Sequence, residues 1–156
     1  MLRPFEESMS RCWIVMFRPE TYAAAREHGL MGVLSVHRRR FLDLRSGDRF
    51  VAYISRERVL DAHGQVVGEP FREVAETPTG WNRYTERARI RFDQVGARVD
   101  ARELLWGLSV CDASLKTEPT NLLLCKGGFM EIPEDDYLWL RRMLAGEAPA
   151  TPRRGD

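Results

Sequence analysis

Lysine is almost absent from this chain. Lys116 and Lys126 stand against 22 arginines in 156 residues. With 23 acidic residues the net charge is only +1, which excludes a strongly polybasic arm but not a local basic face. Cysteine is scarce and odd in number. Cys12, Cys111 and Cys125 form no CxxC pair, so a disulfide framework is not expected. His28, His37 and His63 lie far from them with no metal-ligand spacing, and no metal site is expected. No apolar run approaches the roughly 18 residues of a membrane helix. The segment MLRPFEESMSRCW has no apolar core of a secretory signal, so a cytoplasmic protein is expected. Nucleophile elbow, P-loop, GxGxxG and HExxH patterns are all missing, and no catalytic residue or cofactor is assigned.

What is present is an ordinary globular mixture, 44% hydrophobic and 30% charged, of a length that suits one domain. Residues 1–10 read as a flexible lead-in, 11–145 as the domain and 146–156 as a disordered tail. The run Cys12 to Phe17 has the length of a buried strand. Pro19 opens a helix that Gly29 closes. Gly32 interrupts the next apolar stretch, and Ser35 is placed to cap a short helix carrying Arg38, Arg39 and Arg40. Residues 49–55 alternate as a strand, with Phe50, Ala52 and Ile54 on one face and Val51 and Tyr53 on the other. Residues 56–65 read as a polar connection, and Val66 to Glu76 as a bent strand broken by Gly68 and Pro70. Residues 84–92 alternate again, and Arg83, Arg87, Arg89 and Arg91 share the other parity, an arginine ladder that reads as a solvated strand face. Asp100 is placed to cap a short helix. Two short strands about Gly127 and Gly128 precede a last helix opened by Pro133. Short strands with glycine and proline breaks, and helices between them, predict an α+β fold. Its core is a small, partly open mixed β-barrel with helices packed outside.

Two features stand out within this frame, each with a plain structural alternative. Arginine suits phosphates and base edges through its planar, permanently charged fork, although the same bias follows from GC-rich coding. Trp81 sits in a Thr-Gly-Trp-Asn-Arg-Tyr loop without a packing period. There it either stacks on a planar base or folds over the edge of the core. Trp13, Trp106 and Trp139 read as packing residues.

The order of these segments carries a resemblance. Cys-Trp-Ile-Val, the Pro-started helix, His-Gly-Leu-Met-Gly-Val, the Arg-rich short helix and Ser-Gly-Asp before a strand with Tyr53 resemble the EVE domain family. So does Gly-Gly-Phe-Met-Glu-Ile-Pro-Glu-Asp-Asp-Tyr before the last helix. The likeness spans about residues 11–145. It implies a PUA-like pseudo-barrel, related to YTH domains, with a pocket for one extruded modified base. By analogy the pocket is expected from Phe17, Arg18, Met31, Gly32, Val33, Ser35, Trp81 and Asn82, with Trp13 and Tyr53 from adjoining strands. Arg38, Arg39, Arg40 and Arg83 are expected to hold phosphates.

The expectation is therefore a non-catalytic module that binds DNA or RNA through a modified base, methylated cytosine in DNA above all. An enzyme acting on a nucleoside or small amide in the same pocket is one alternative, and it would draw on Lys116 or Lys126. A peptide-binding domain is the other.

Overall fold

The structure, a computed structural model, describes residues 10–76, 81–109, 111, 119 and 127–147. Its centre is β1 (Cys12–Phe17), which is buried on both faces. Cys12 and Ile14 point into one apolar cluster, while Trp13, Val15 and Phe17 point into another. This two-sided burial is why the strand reads as an unbroken apolar run rather than an alternating one. It pairs in parallel with β3 (Arg49–Ile54) and antiparallel with β8 (Phe129–Ile132).

Between β1 and β2 (Leu30–Val33) lies α1 (Pro19–His28). Proline stands at its first turn and Glu20 beside it, where the helix dipole favours a carboxylate. Gly29 ends it in the left-handed conformation, φ +65°, with its N–H donated to the Ala25 carbonyl at 2.8 Å. The chain then extends as β2, where sequence reading saw only an interruption. A single 3-10 turn at Ser35–His37 leads into α2 (Arg38–Phe41).

The strand order is β2, β6 (Glu86–Gln94), β4 (Val59–Val66), β3, β1, β8. Two short strands, β5 (Phe71–Arg72) and β7 (Val99–Asp100), pair with β6 and β4. The expected bent strand over residues 66–76 is thus reduced to two residues. Of the expected polar connection over 56–65, only the first residues are a turn, and from Val59 the chain is a central strand, β4, hydrogen-bonded to both β3 and β6. Asp61 and His63 are weak strand formers, which hides it. Asp61 is used there: its carboxylate accepts the Tyr22 hydroxyl at 2.6 Å and the Gly96 N–H at 3.2 Å.

The two clusters lie on opposite faces of the sheet. Trp13, Phe50, Ala52, Ala88 and Phe129 fill the inside of the curl. Ile14, Val51, Tyr53 and Leu60 form the outside, covered by α3 (Ala101–Leu104) and α4 (Glu134–Leu144). Tyr137, Leu140 and Leu144 dock α4 by the face their spacing predicts. Pro133 and the acidic residues 134–136 start that helix as expected. This is the α+β, PUA-like pseudo-barrel with helices outside. The first of the two strands expected about Gly127 and Gly128, most of the lead-in and most of the tail lie outside the described residues.

Candidate functional site

β2 stands at one end of the strand order and β8 at the other. Gly32 and Val33 of β2 nevertheless share a cavity with Gly127 and Gly128, the turn that enters β8. The curl of the sheet brings its two edges together around this opening. The cavity holds about 200 Å³. That is below the span of about 300–1,000 Å³ typical of drug-sized ligand pockets, and it suits one flat ring system. Phe17, Trp81 and Tyr84 give it an aromatic lining, and Arg18, Thr21 and His37 supply side-chain polar groups.

Its walls are set by close contacts. A β-carbon on Gly32 would stand 3.0 Å from the Tyr84 β-carbon and 3.1 Å from the Trp81 ring. Gly127 and Gly128 turn with φ +81° and +85°, a region that favours glycine. His37 packs so closely on Gly127 that an added β-carbon would meet its Nδ1 at 2.7 Å.

Arg87 builds the loop that carries Trp81. The parity of β6 predicts a solvent-facing arginine ladder. Arg89 and Arg91 do face outward, but Arg87 is fully buried. Its guanidinium donates to three backbone carbonyls, of Ala75 at 2.6 Å, Tyr84 at 2.9 Å and Trp81 at 3.0 Å. Glu73 pairs with it at 3.3 Å. The planar fork reaches acceptors on several sides of the loop at once, which an ammonium cannot do in the same way. Arg87 also stands 5.7 Å from the Trp81 ring centre, within cation–π range.

Trp81 folds over the edge of the core and also forms part of the cavity wall. It is 1% exposed and belongs to the inner cluster, yet its ring borders the cavity. Its Nε1 is buried with no hydrogen-bond partner among the described residues. An unsatisfied buried donor costs about 1–3 kcal/mol, so one beside a cavity points to a bound acceptor or water.

Of the ten residues expected to line the pocket, the structure brings five together: Phe17, Arg18, Gly32, Val33 and Trp81. Met31 is fully buried in the inner cluster behind them. Ser35 and Asn82 are exposed near the opening but do not border it. Trp13 is sealed in the core, its indole N–H donated to Asp48 at 3.0 Å. Tyr53 points to the opposite face of the sheet, beneath the outer helices.

The four phosphate candidates also divide. Arg39 and Arg83 are exposed. Arg38 pairs at 3.2 Å with Glu86, a buried carboxylate that also meets Arg72 at 3.6 Å. Arg40 lies 4.6 Å from the Phe129 ring centre and donates to the Phe129 carbonyl at 3.0 Å. Sequence reasoning did not place Tyr84, Thr21, His37 or the glycine pair at the cavity. The one available signal was Gly127-Gly128 itself, a turn that demands positive φ twice in succession.

No family model matches the sequence, and no curated protein matches it. Solved structures do match in three dimensions. The YTH domain of the Zygosaccharomyces rouxii MRB1 protein, solved in complex with N6-methyladenosine RNA, aligns with TM-score 0.66 at 12% identity. The alignment covers 92% of this chain and 89% of that one. The Pho92 YTH domain, in complex with m6A, aligns with TM-score 0.62 at 13% identity over 92% and 90% of the two chains. The chain has the fold of a YTH domain. A hypothetical protein from Leishmania major shares it, with TM-score 0.64 at 12% identity over 90% of this chain and 98% of that one. Within the YTH fold of this chain, the cavity lies where the two edges of the curled sheet meet.

Proposed function

We propose that this chain is a non-catalytic RNA-binding module that takes one methylated base into the cavity between β1, β2 and the Trp81 loop. The cavity carries the reading: one small aromatic-lined recess in a fold shared with YTH domains solved on N6-methyladenosine RNA. An extruded base loses a few kcal/mol of stacking, which contacts with Phe17, Trp81 and Tyr84 would offset. The glycine at position 32 leaves room for a flat ring against the β2 backbone. Arg18, Thr21, His37 and the orphan Trp81 N–H are the groups available to a base edge. Arg39 and Arg83 supply exposed charge for the backbone.

The EVE resemblance supports a second choice of guest, methylated cytosine in DNA. Both guests share the same physics, since a methyl group adds about 0.8 kcal/mol when buried, about fourfold in affinity. Lys116 and Lys126, on which the enzymatic alternative drew, lie outside the described residues.

The test is a binding titration with four matched oligonucleotides: RNA with and without N6-methyladenosine, and DNA with and without 5-methylcytosine. Tighter binding to the methylated RNA, lost in a Gly32→Val variant that still folds, supports the proposal. Tighter binding to the methylated DNA moves it to the second guest. Undetectable binding to all four, or binding indifferent to the Gly32 substitution, rejects it.

A further inference from the structure

A second recess lies on the other face of the sheet. His63 of β4 is the register partner of Val51, so its side chain stands on the outer face, under α4. There a cleft of about 880 Å³ opens between the β4–β6 pair and the C-terminal half of α4. Gln94 forms part of its wall and ties the two layers together, donating its side-chain amide to the Leu144 carbonyl at 2.8 Å. Trp139 and Leu138 give the cleft an apolar side.

Two polar groups in this wall have unused binding capacity among the described residues. His63 is 7% exposed, and its Nδ1 is buried with no hydrogen-bond partner among the described residues. Arg141 borders the same cleft and is exposed. Among the described residues no ion pair holds its guanidinium, which lies over the face of Tyr137 at 6.0 Å. By contrast the neighbouring Arg142 is paired with Glu147 at 3.8 Å. A guanidinium without an ion pair and a buried imidazole nitrogen without a hydrogen-bond partner, sharing one cleft among the described residues, complement a negatively charged oxygen group.

We infer that this cleft is a second binding site, for a small ligand whose oxyanion head group, phosphoryl or carboxylate, sits between Arg141 and His63 with its apolar part against Trp139 and Leu138. The charges around His63 agree with this. Burial lowers its pKa first and Arg141 lowers it further, while Asp93 and Gln94 of β6 act the other way. Asp135, Arg142 and Glu147 of α4 complete the charged surroundings, and the last two neutralise each other. An anion seated beside Arg141 would cancel its field and favour the protonated imidazole. Binding is therefore coupled to proton uptake at His63. The site is independent of the RNA reading, because it lies across the sheet from the first cavity.

The three histidines make the test self-controlled. The imidazole resonances of His28, His37 and His63 in the full chain are followed by NMR against pH. The titration is run with sodium sulfate, standing for a phosphoryl head, and separately with sodium acetate, at constant ionic strength. The expected result is a saturable upward move of the His63 midpoint, with His28 and His37 unmoved. Arg141→Gln, a surface change, should weaken the response at least tenfold. A response to sulfate alone assigns a phosphoryl ligand, and a response to acetate a carboxylate. An unmoved His63, an equal shift of all three histidines, or a response undiminished in Arg141→Gln overturns the inference.

Discussion

A β-carbon on Gly32 would meet one neighbour that cannot yield, the Tyr84 β-carbon at 3.0 Å, and one that can, the Trp81 ring at 3.1 Å. Gly32→Ala should therefore push the indole toward the cavity. The expected cost in stability is about 1 kcal/mol, because overpacking is partly offset by the lower chain entropy of alanine. The loss of ligand affinity should be larger, at least tenfold. Urea denaturation and the oligonucleotide titration measure the two effects separately. Equal effects on both would mean that the residue acts only through folding. At this scale five of the ten residues expected at the pocket do line the cavity. Phe17, Arg18, Gly32 and Val33 came from the family resemblance, whereas Trp81 was legible as an unpatterned loop tryptophan. His37 was not, since its role depends on Gly127, 90 positions away, and pairings at that range leave no local trace.

The strand β4 shows what a whole element can conceal. Its glycine is a packing requirement rather than a break. A β-carbon on Gly64 would stand 2.0 Å from the Arg91 carbonyl oxygen and 2.9 Å from the Phe50 ring. The backbone of β6 passes too close for any side chain, at the point where the register between the strands shifts. Gly64→Ala is expected to destabilise the protein by about 3 kcal/mol, the upper range of overpacking costs. A shift in the urea midpoint at unchanged slope would show it, and a change below about 1 kcal/mol would mean that β4 and β6 can separate freely. β6 is the converse case. Its alternation was legible, but the parity rule placed Arg87 in solvent. Three backbone carbonyls and Glu73 draw that guanidinium inside, and no periodicity encodes such acceptors. By contrast β1, α1, β3 and α4 were readable, because proline, glycine and apolar spacing act within each element.

The molecule as a whole links charge to both stability and binding. His63 is held neutral in the folded state, with its pKa below the usual 6.5. The unfolded chain thus takes up a proton at this residue that the folded chain does not. Its contribution to stability is complete above pH 6.5 and falls away as the pH drops through that value toward the lower folded one. The urea midpoint should decline between pH 7.5 and 5.5. His63→Phe should remove that part of the decline, and an identical decline in the variant would assign it to other groups.

Binding obeys a related arithmetic. Five arginines were expected around the opening, counting Arg18 with the four phosphate candidates. Two of them are engaged: Arg38 with Glu86, and Arg40 with the Phe129 ring and carbonyl. Arg18, Arg39 and Arg83 are exposed and make no ion pair among the described residues. Three phosphate contacts on a single strand give a slope of about −2 for log affinity against log salt, whereas five would give about −3.5. The shallower value is expected. A slope near −3.5 would mean that RNA displaces Glu86 and Phe129 from their arginines. Arg38→Gln would then reduce the slope, while in the arrangement seen here it should leave the slope unchanged. A low slope would also suit a net charge of +1 and the proposed reading, in which the enclosed base would contribute more affinity than the phosphates.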